Sequence, residues 1–109
     1  MNVFIIGGTS GIGLALASYY HLQGNRVGVC GRDLQKLTDE SRFEKYQADV
    51  TNIVQLQNVI LQFPGERTLS LLINCAGSYA EDVADKISYE EAVTMLQTNI
   101  MGTVNCFVF

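Results

Sequence analysis

Proline occurs once in the 109 residues, charged side chains make up 17% of them, and cations number only seven. The scarcity of proline, set beside an apolar content of 48%, excludes a disordered or low-complexity chain and leaves a globular domain. The seven Lys and Arg are outnumbered by eleven Asp and Glu, for a formal charge of -4. A broad nucleic-acid or anionic-membrane surface needs clustered cations, so neither partner is expected and any anion must be held locally. The three cysteines, Cys30, Cys75 and Cys106, lie far apart and form no C-x-x-C pair. A disulfide framework or zinc site is therefore not expected, no metal is assigned, and three reduced, mostly buried thiols are the reading. No stretch of about 18 uninterrupted apolar residues occurs, which removes a membrane span. Residues 1–6 carry no positive charge ahead of their apolar run, so a signal peptide does not fit and a soluble, cytoplasmic protein is expected. The length predicts one domain over residues 1–109.

Short continuous apolar runs are present instead. Val3 to Ile6, Val27 to Cys30 and Leu69 to Ile73 are bounded by Gly, Arg or polar residues, as buried parallel strands are, and Phe43 to Ala48 is a weaker fourth. Between them, Ile12, Leu16, Tyr19 and Tyr20, then Leu34 with Leu37, then Ile53, Leu56, Val59 and Ile60 recur at helical spacing. Ser88-Tyr89-Glu90-Glu91 is a capping-box pattern that opens a long last helix running through Phe107. The alternation predicts an α/β fold, a Rossmann-like doubly wound parallel sheet in the order 3-2-1-4 with right-handed crossovers. The sheet is incomplete at the strand-four edge. That edge and one apolar face of the last helix should be exposed, favouring a homo-oligomer or another association there.

The strongest local pattern is Gly7-Gly8-Thr9-Ser10-Gly11-Ile12-Gly13, where the first strand gives way to the first helix. Gly7 permits a tight turn, and Gly11 and Gly13 let backbone and helix N-terminus approach a diphosphate. The helix-end amides and dipole then hold the anion. After the second strand stands Cys30-Gly31-Arg32-Asp33. A site for NAD wants a carboxylate at the strand end, where Gly31 stands; Arg32 suits a 2′-phosphate, so NADP(H) is the favoured cofactor. Asp33 is the competing ribose ligand, but it precedes Leu34-Gln35-Lys36-Leu37 and reads better as a helix N-cap. A solvated surface arginine is the other reading of Arg32. His21, near a helix C-terminus, reads as a surface residue, and Tyr19 and Tyr20 as core or rim packing.

Gly7-x-x-x-Gly11-Ile12-Gly13, Asp49-Val50, Asn74-Cys75-Ala76-Gly77 and Asn99-Ile100-x-Gly102 together resemble the successive motifs of the short-chain dehydrogenase/reductase family, across essentially the whole chain. The resemblance implies that Thr9, Ser10 and Ile12 line the phosphates and that Asp49 accepts a bond from the adenine amino group, with Val50 beside it. It implies further that Asn74, Ala76 and Gly77 border the nicotinamide-side ribose and that Asn99 helps hold a proton-relay water, the one catalytic position carried over. Asp49 also suits a cap for a helix beginning near Thr51, and Asn74 a turn.

Ile6 stands where the family usually has threonine, and Cys75 where a second asparagine is common. The family's chemistry uses a serine, a tyrosine and a lysine four residues after it, the lysine depressing the tyrosine pKa. Tyr19, Tyr20, Tyr46, Tyr79 and Tyr89 are followed four residues on by Gln23, Gly24, Val50, Val83 and Val93. The expectation is thus a cofactor-binding part that stops before the catalytic residues, acting on a small carbonyl or alcohol substrate only when completed. The alternative is a non-catalytic nucleotide-binding or interaction module. A methyltransferase using S-adenosylmethionine shares the glycine turn but wants an acid where Gly31-Arg32 stands.

Overall fold

The computed structural model describes residues 1–77 and 88–107; Tyr79 lies outside them. Four strands, β1 (Asn2–Ile6), β2 (Arg26–Gly31), β3 (Glu44–Gln47) and β4 (Leu71–Asn74), form one parallel sheet in the order β3-β2-β1-β4. This is the expected topology. β1 is central, with Val3 to Ile6 buried, and pairs Phe4 with Gly28 on one side and with Leu72 on the other. Its side chains alternate between two cores, as strand geometry requires. Val3 and Ile5 join Val27, Val29, Leu37 and Phe43 on one face; Phe4 and Ile6 join Cys30, Leu56, Ile60, Phe63 and Cys106 on the other.

Helix α1 (Gly11–Leu22) covers the first face and α2 (Ile53–Gln62) the second. The face α1 buries differs from the expected stripe. Gly13 and Ala17 are its buried residues, whereas Ile12 is 78% exposed and Tyr19 55%. The helix presses its small side chains against the sheet: a Cβ on Gly13 would lie 2.1 Å from the Gly7 carbonyl oxygen. Close approach there turns the larger apolar residues outward, while Leu14, Leu16 and Tyr20 pack from the flanks. In α2, Leu56, Val59 and Ile60 are buried as expected, but Ile53, in the first turn, is 37% exposed.

Two further elements are shorter or less regular than their sequence patterns suggest. The segment around Leu34 and Leu37 makes one 3-10 turn (Gln35–Leu37), and the Asp33 carboxylate accepts from the Gln35 N–H at 2.9 Å. The N-cap position itself is Leu34, so Asp33 braces the turn from one residue outside it instead of capping a helix as expected. The last helix consists of α3 (Tyr89–Leu96), a π-helical turn (Gln97–Met101) and α4 (Gly102–Phe107). The Ser88 hydroxyl oxygen accepts from the Glu91 N–H at 3.3 Å, the first half of the expected capping box. Gly102 donates to the Gln97 carbonyl five residues back, so the helix carries one extra residue in a turn. Along its outer face Leu96, Ile100, Met101, Val104 and Phe107 are all about half exposed, and among the described residues β4 pairs only with β1. No described helix is long and apolar enough to cross a membrane.

Candidate functional site

The loops that follow the four strands converge on a cleft of about 340 Å³ at the carboxyl edge of the sheet. The β1–α1 turn forms its floor. Gly7 adopts φ 75° and Gly11 φ 56°, a left-handed backbone that side chains resist. A Cβ on Gly7 would meet the Ala76 nitrogen at 2.5 Å, whereas one on Gly11 meets nothing within 4 Å. Gly7 therefore serves packing between the turn and the β4 loop, and Gly11 leaves room toward the open side. Ser10 is the N-cap of α1 but makes no side-chain cap bond, in contrast to Asn52 on α2 and Ser88 on α3. The first-turn amides of α1 thus border the cleft without a side-chain acceptor, the arrangement that suits a bound anion.

Gly31 and Arg32, at the end of β2, form one rim. A Cβ on Gly31 would stand 2.6 Å from Thr9 Cγ2, so any larger residue at 31 must displace the Thr9 side chain. The Arg32 side chain is exposed; its carbonyl oxygen accepts from Gln47 Nε2 at 3.0 Å, which ties the rim to β3.

Ala48, Asp49 and Val50 make the adjacent wall. Asp49 Oδ1 accepts from both the Thr51 N–H, at 2.9 Å, and the Thr51 hydroxyl, at 2.7 Å. Oδ2 takes no bond among the described residues. These Thr51 bonds, the backbone one foremost, hold the Asp49 carboxyl below the usual carboxylate range, helped by the charge of Arg32. Asn52, not Asp49, caps α2, accepting from the Gln55 N–H at 3.1 Å. The carboxylate of Asp49 therefore stays ionised with one oxygen directed to other uses.

Cys75, Ala76 and Gly77 form the far wall, with Thr98 above them. Asn74 and Asn99, both singled out by the sequence, stand against this wall: Asn99 Oδ1 lies 3.5 Å from where a Cβ on Gly77 would be. Asn74 Oδ1 accepts from the Ala76 N–H at 3.0 Å, and its Nδ2 donates to the Thr103 hydroxyl at 3.1 Å. Thr103 in turn donates to the Asn99 carbonyl at 2.8 Å. Because an amide nitrogen only donates, the Thr103 proton must point at Asn99. Asn74 thus shapes the wall from behind, and Asn99 sits in the π turn, where helix bonds are already displaced.

Sequence reasoning missed three residues here. Thr98, in the π turn, reaches the cleft, and nothing in the apolar pattern marks it. Thr103 joins the two asparagines. Asn105, 8% exposed, is the buried polar side chain of the described residues; that asparagine is disfavoured inside a helix is the one signal that could have found it. The three thiols behave as expected for burial and access: Cys30 and Cys106 are buried and Cys75, on the cleft wall, partly so. Burial pushes Cys30 up to about 12 and Cys106 up to about 11.

A parallel sheet in this order, with a glycine turn, an exposed cation and an ionised carboxylate around one cleft at its carboxyl edge, defines a Rossmann-like α/β domain. The family model for short chain dehydrogenase matches residues 1–108, and the chain belongs to that family. It is 34% identical to the NADP-dependent 3-hydroxy acid dehydrogenase of Shigella flexneri, over 95% of this chain and 45% of that protein. It is 30% identical to a 3-dehydrosphinganine reductase of Arabidopsis thaliana, over 95% of this chain and 33% of that one. Among solved structures, serine dehydrogenase from Escherichia coli superposes with a TM-score of 0.84 at 32% identity, over 97% of this chain and 52% of the other. The closed form of serine dehydrogenase complexed with NADP+ gives the same score and identity, over 97% and 46%. The chain spans less than half the length of the curated relatives it matches.

Proposed function

We propose that this chain is the NADP(H)-binding part of a short-chain dehydrogenase/reductase, one dinucleotide-binding unit over residues 1–109. The observation that carries the reading is the Gly31–Arg32 rim. Thr9 packs where a ribose-binding carboxylate would have to stand, and a cation able to make a forked contact with a 2′-phosphate follows directly. The first-turn amides of α1, with Thr9, Ser10 and Ile12 around them, take the diphosphate. Asp49 Oδ2 accepts from the adenine amino group with Val50 against the ring. Ala76 and Gly77, braced by Asn74, border the nicotinamide-side ribose.

Bound there, the cofactor supplies or accepts a hydride against a small carbonyl or alcohol. Asn99 is assigned to the proton-relay water of the complete site. The family's serine and Tyr-x-x-x-Lys are the groups that polarise the carbonyl and move the proton, and no Tyr-x-x-x-Lys occurs in these residues. We therefore expect cofactor binding without turnover from this chain alone. Three free thiols suit a cytoplasmic setting. The half-exposed apolar face of α3, the π turn and α4, with the β4 edge, is where we place association with a second copy or with further protein.

Thermal unfolding with each of three ligands tests the assignment. NADPH at about 100 times its Kd should add about 2.7 kcal/mol, roughly 10–20 °C for a domain near 100 residues. NADH and S-adenosylmethionine at equal concentration should add much less. Equal or greater stabilisation by either would overturn the reading.

A further inference from the structure

Two residues of α4 reach the wall formed by Asp49 and Val50: Gly102, which closes the Asn99-Ile100-x-Gly102 motif, and Asn105, which lies outside it. Asn105 Nδ2 donates to the Val50 carbonyl oxygen at 2.9 Å, across 55 positions of sequence. Three residues earlier, a Cβ on Gly102 would lie 2.7 Å from Val50 Cγ2, so the helix backbone seats directly on the Val50 side chain. Val50 is 6% exposed, and its carbonyl accepts from Asn105 in a buried bond, so losing that donor would leave a buried polar group without its partner.

The rest of this corner is held by its own short-range bonds. Ala48 N–H donates to the Gly31 carbonyl at 3.1 Å and Asn52 N–H to the Asp49 carbonyl at 2.9 Å. Asp49 N–H donates to Gln55 Oε1 at 2.9 Å. All of these lie within β2, β3 and α2 or the loops joining them. Beside the packing of Gly102 and Cys106 against Val50 and α2, the bond from Asn105 ties the corner to the last helix by a directional contact, and thereby to the far side of the cleft, because α4 also carries Thr103, the partner of Asn74.

We propose that Asn105 is a positioning residue for adenine recognition: by holding the Val50 carbonyl it sets where Asp49 Oδ2 stands relative to the nucleotide base. The inference rests on the proposed NADP(H) reading of the cleft. A buried amide chosen only for stability would change unfolding and leave base discrimination alone. A positioning residue changes how well Asp49 tells adenine from a base lacking the 6-amino group.

The test compares NADPH with its hypoxanthine analogue, which has an exocyclic carbonyl oxygen in place of that amino group, by fluorescence titration at a temperature well below unfolding. The unaltered chain should prefer NADPH by about tenfold, the loss of one charge-assisted bond. In Asn105→Asp, nearly the same shape without the donor, and in Asn105→Leu, which suits the surrounding core, the preference should fall to about threefold or less. Affinity for nicotinamide mononucleotide should stay within twofold. A preference still at tenfold in either folded variant overturns the proposal. No preference in the unaltered chain instead defeats the Asp49 reading beneath it. A measurement on the unaltered chain stands even if neither variant folds: the Asn105 carboxamide resonances should shift on titration with 2′,5′-ADP and not with nicotinamide mononucleotide. Resonances unmoved by 2′,5′-ADP overturn the proposal.

Discussion

Replacing Arg32 with alanine separates the two nicotinamide cofactors. The Arg32 side chain is exposed at the cleft rim, and its electrostatic neighbour is Asp49. A hydrogen bond to a charged group contributes about 1.5–3 kcal/mol. Solvent at the rim screens the contact, which sets the lower end as the expectation, about 1.5 kcal/mol or roughly a tenfold change in Kd. Arg32→Ala should therefore raise the Kd for NADPH about tenfold and leave that for NADH within about twofold. Removing the cation also lets the Asp49 carboxyl drift upward, but that effect acts on both cofactors alike at neutral pH. Arg32→Lys, which keeps the charge and loses the fork, should fall between. Isothermal titration at two ionic strengths provides the check, since raising salt should shrink the NADPH preference of the native chain and barely touch that of Arg32→Ala. An equal loss for both cofactors, or a preference that survives the substitution, would refute the argument.

Gly13→Ala places a Cβ 2.1 Å from a backbone carbonyl oxygen, which no side-chain rotation relieves; overpacking of this kind costs about 1–3 kcal/mol. Urea denaturation should show a loss at the upper end, and a midpoint equal to that of the native chain would contradict the packing described. Cys30 and Cys106, both at 0% exposure, should resist iodoacetamide at pH 8 while Cys75 reacts, and NADPH should slow that reaction; mass spectrometry of the labelled peptides decides it. With folded values raised to about 12 and about 11, against about 8.5 unfolded, these two thiols contribute stability that is complete below about pH 8.5. It is lost as the pH climbs through the folded values, so labelling of both should follow unfolding at high pH and not precede it.

The strands were legible because a parallel sheet covered on both faces leaves continuous apolar runs, and Val3 to Ile6 is such a run. Their order followed from the alternation with helices. What apolar spacing could not convey was contact made by small residues. Gly13 and Ala17 carry the packing of α1, so counting large side chains pointed to Ile12 and Tyr19, which face outward. The motif residues of the site fell mostly into one cleft, since glycine turns and strand-end acids are local features. Asn74 stood behind its wall instead, because its placement depends on its bonds to Ala76 and Thr103. The π turn left no apolar signature, and with it Thr98 went unseen. Asn105 was visible only as a residue ill suited to a helix.

The central place of β1 has a consequence for synthesis. Asn2 bonds to Ser70, 68 positions later, and Gly7 packs against Cys75 and Ala76. At about 5–20 residues per second, roughly 3–14 s separate the emergence of these partners. During that interval one side of the most apolar strand has no neighbour, and the glycine turn has nothing to close against. A nascent chain should therefore depend on chaperone cover in this window. It should become competent to capture a nucleotide only after the Ala76 loop has cleared the ribosome.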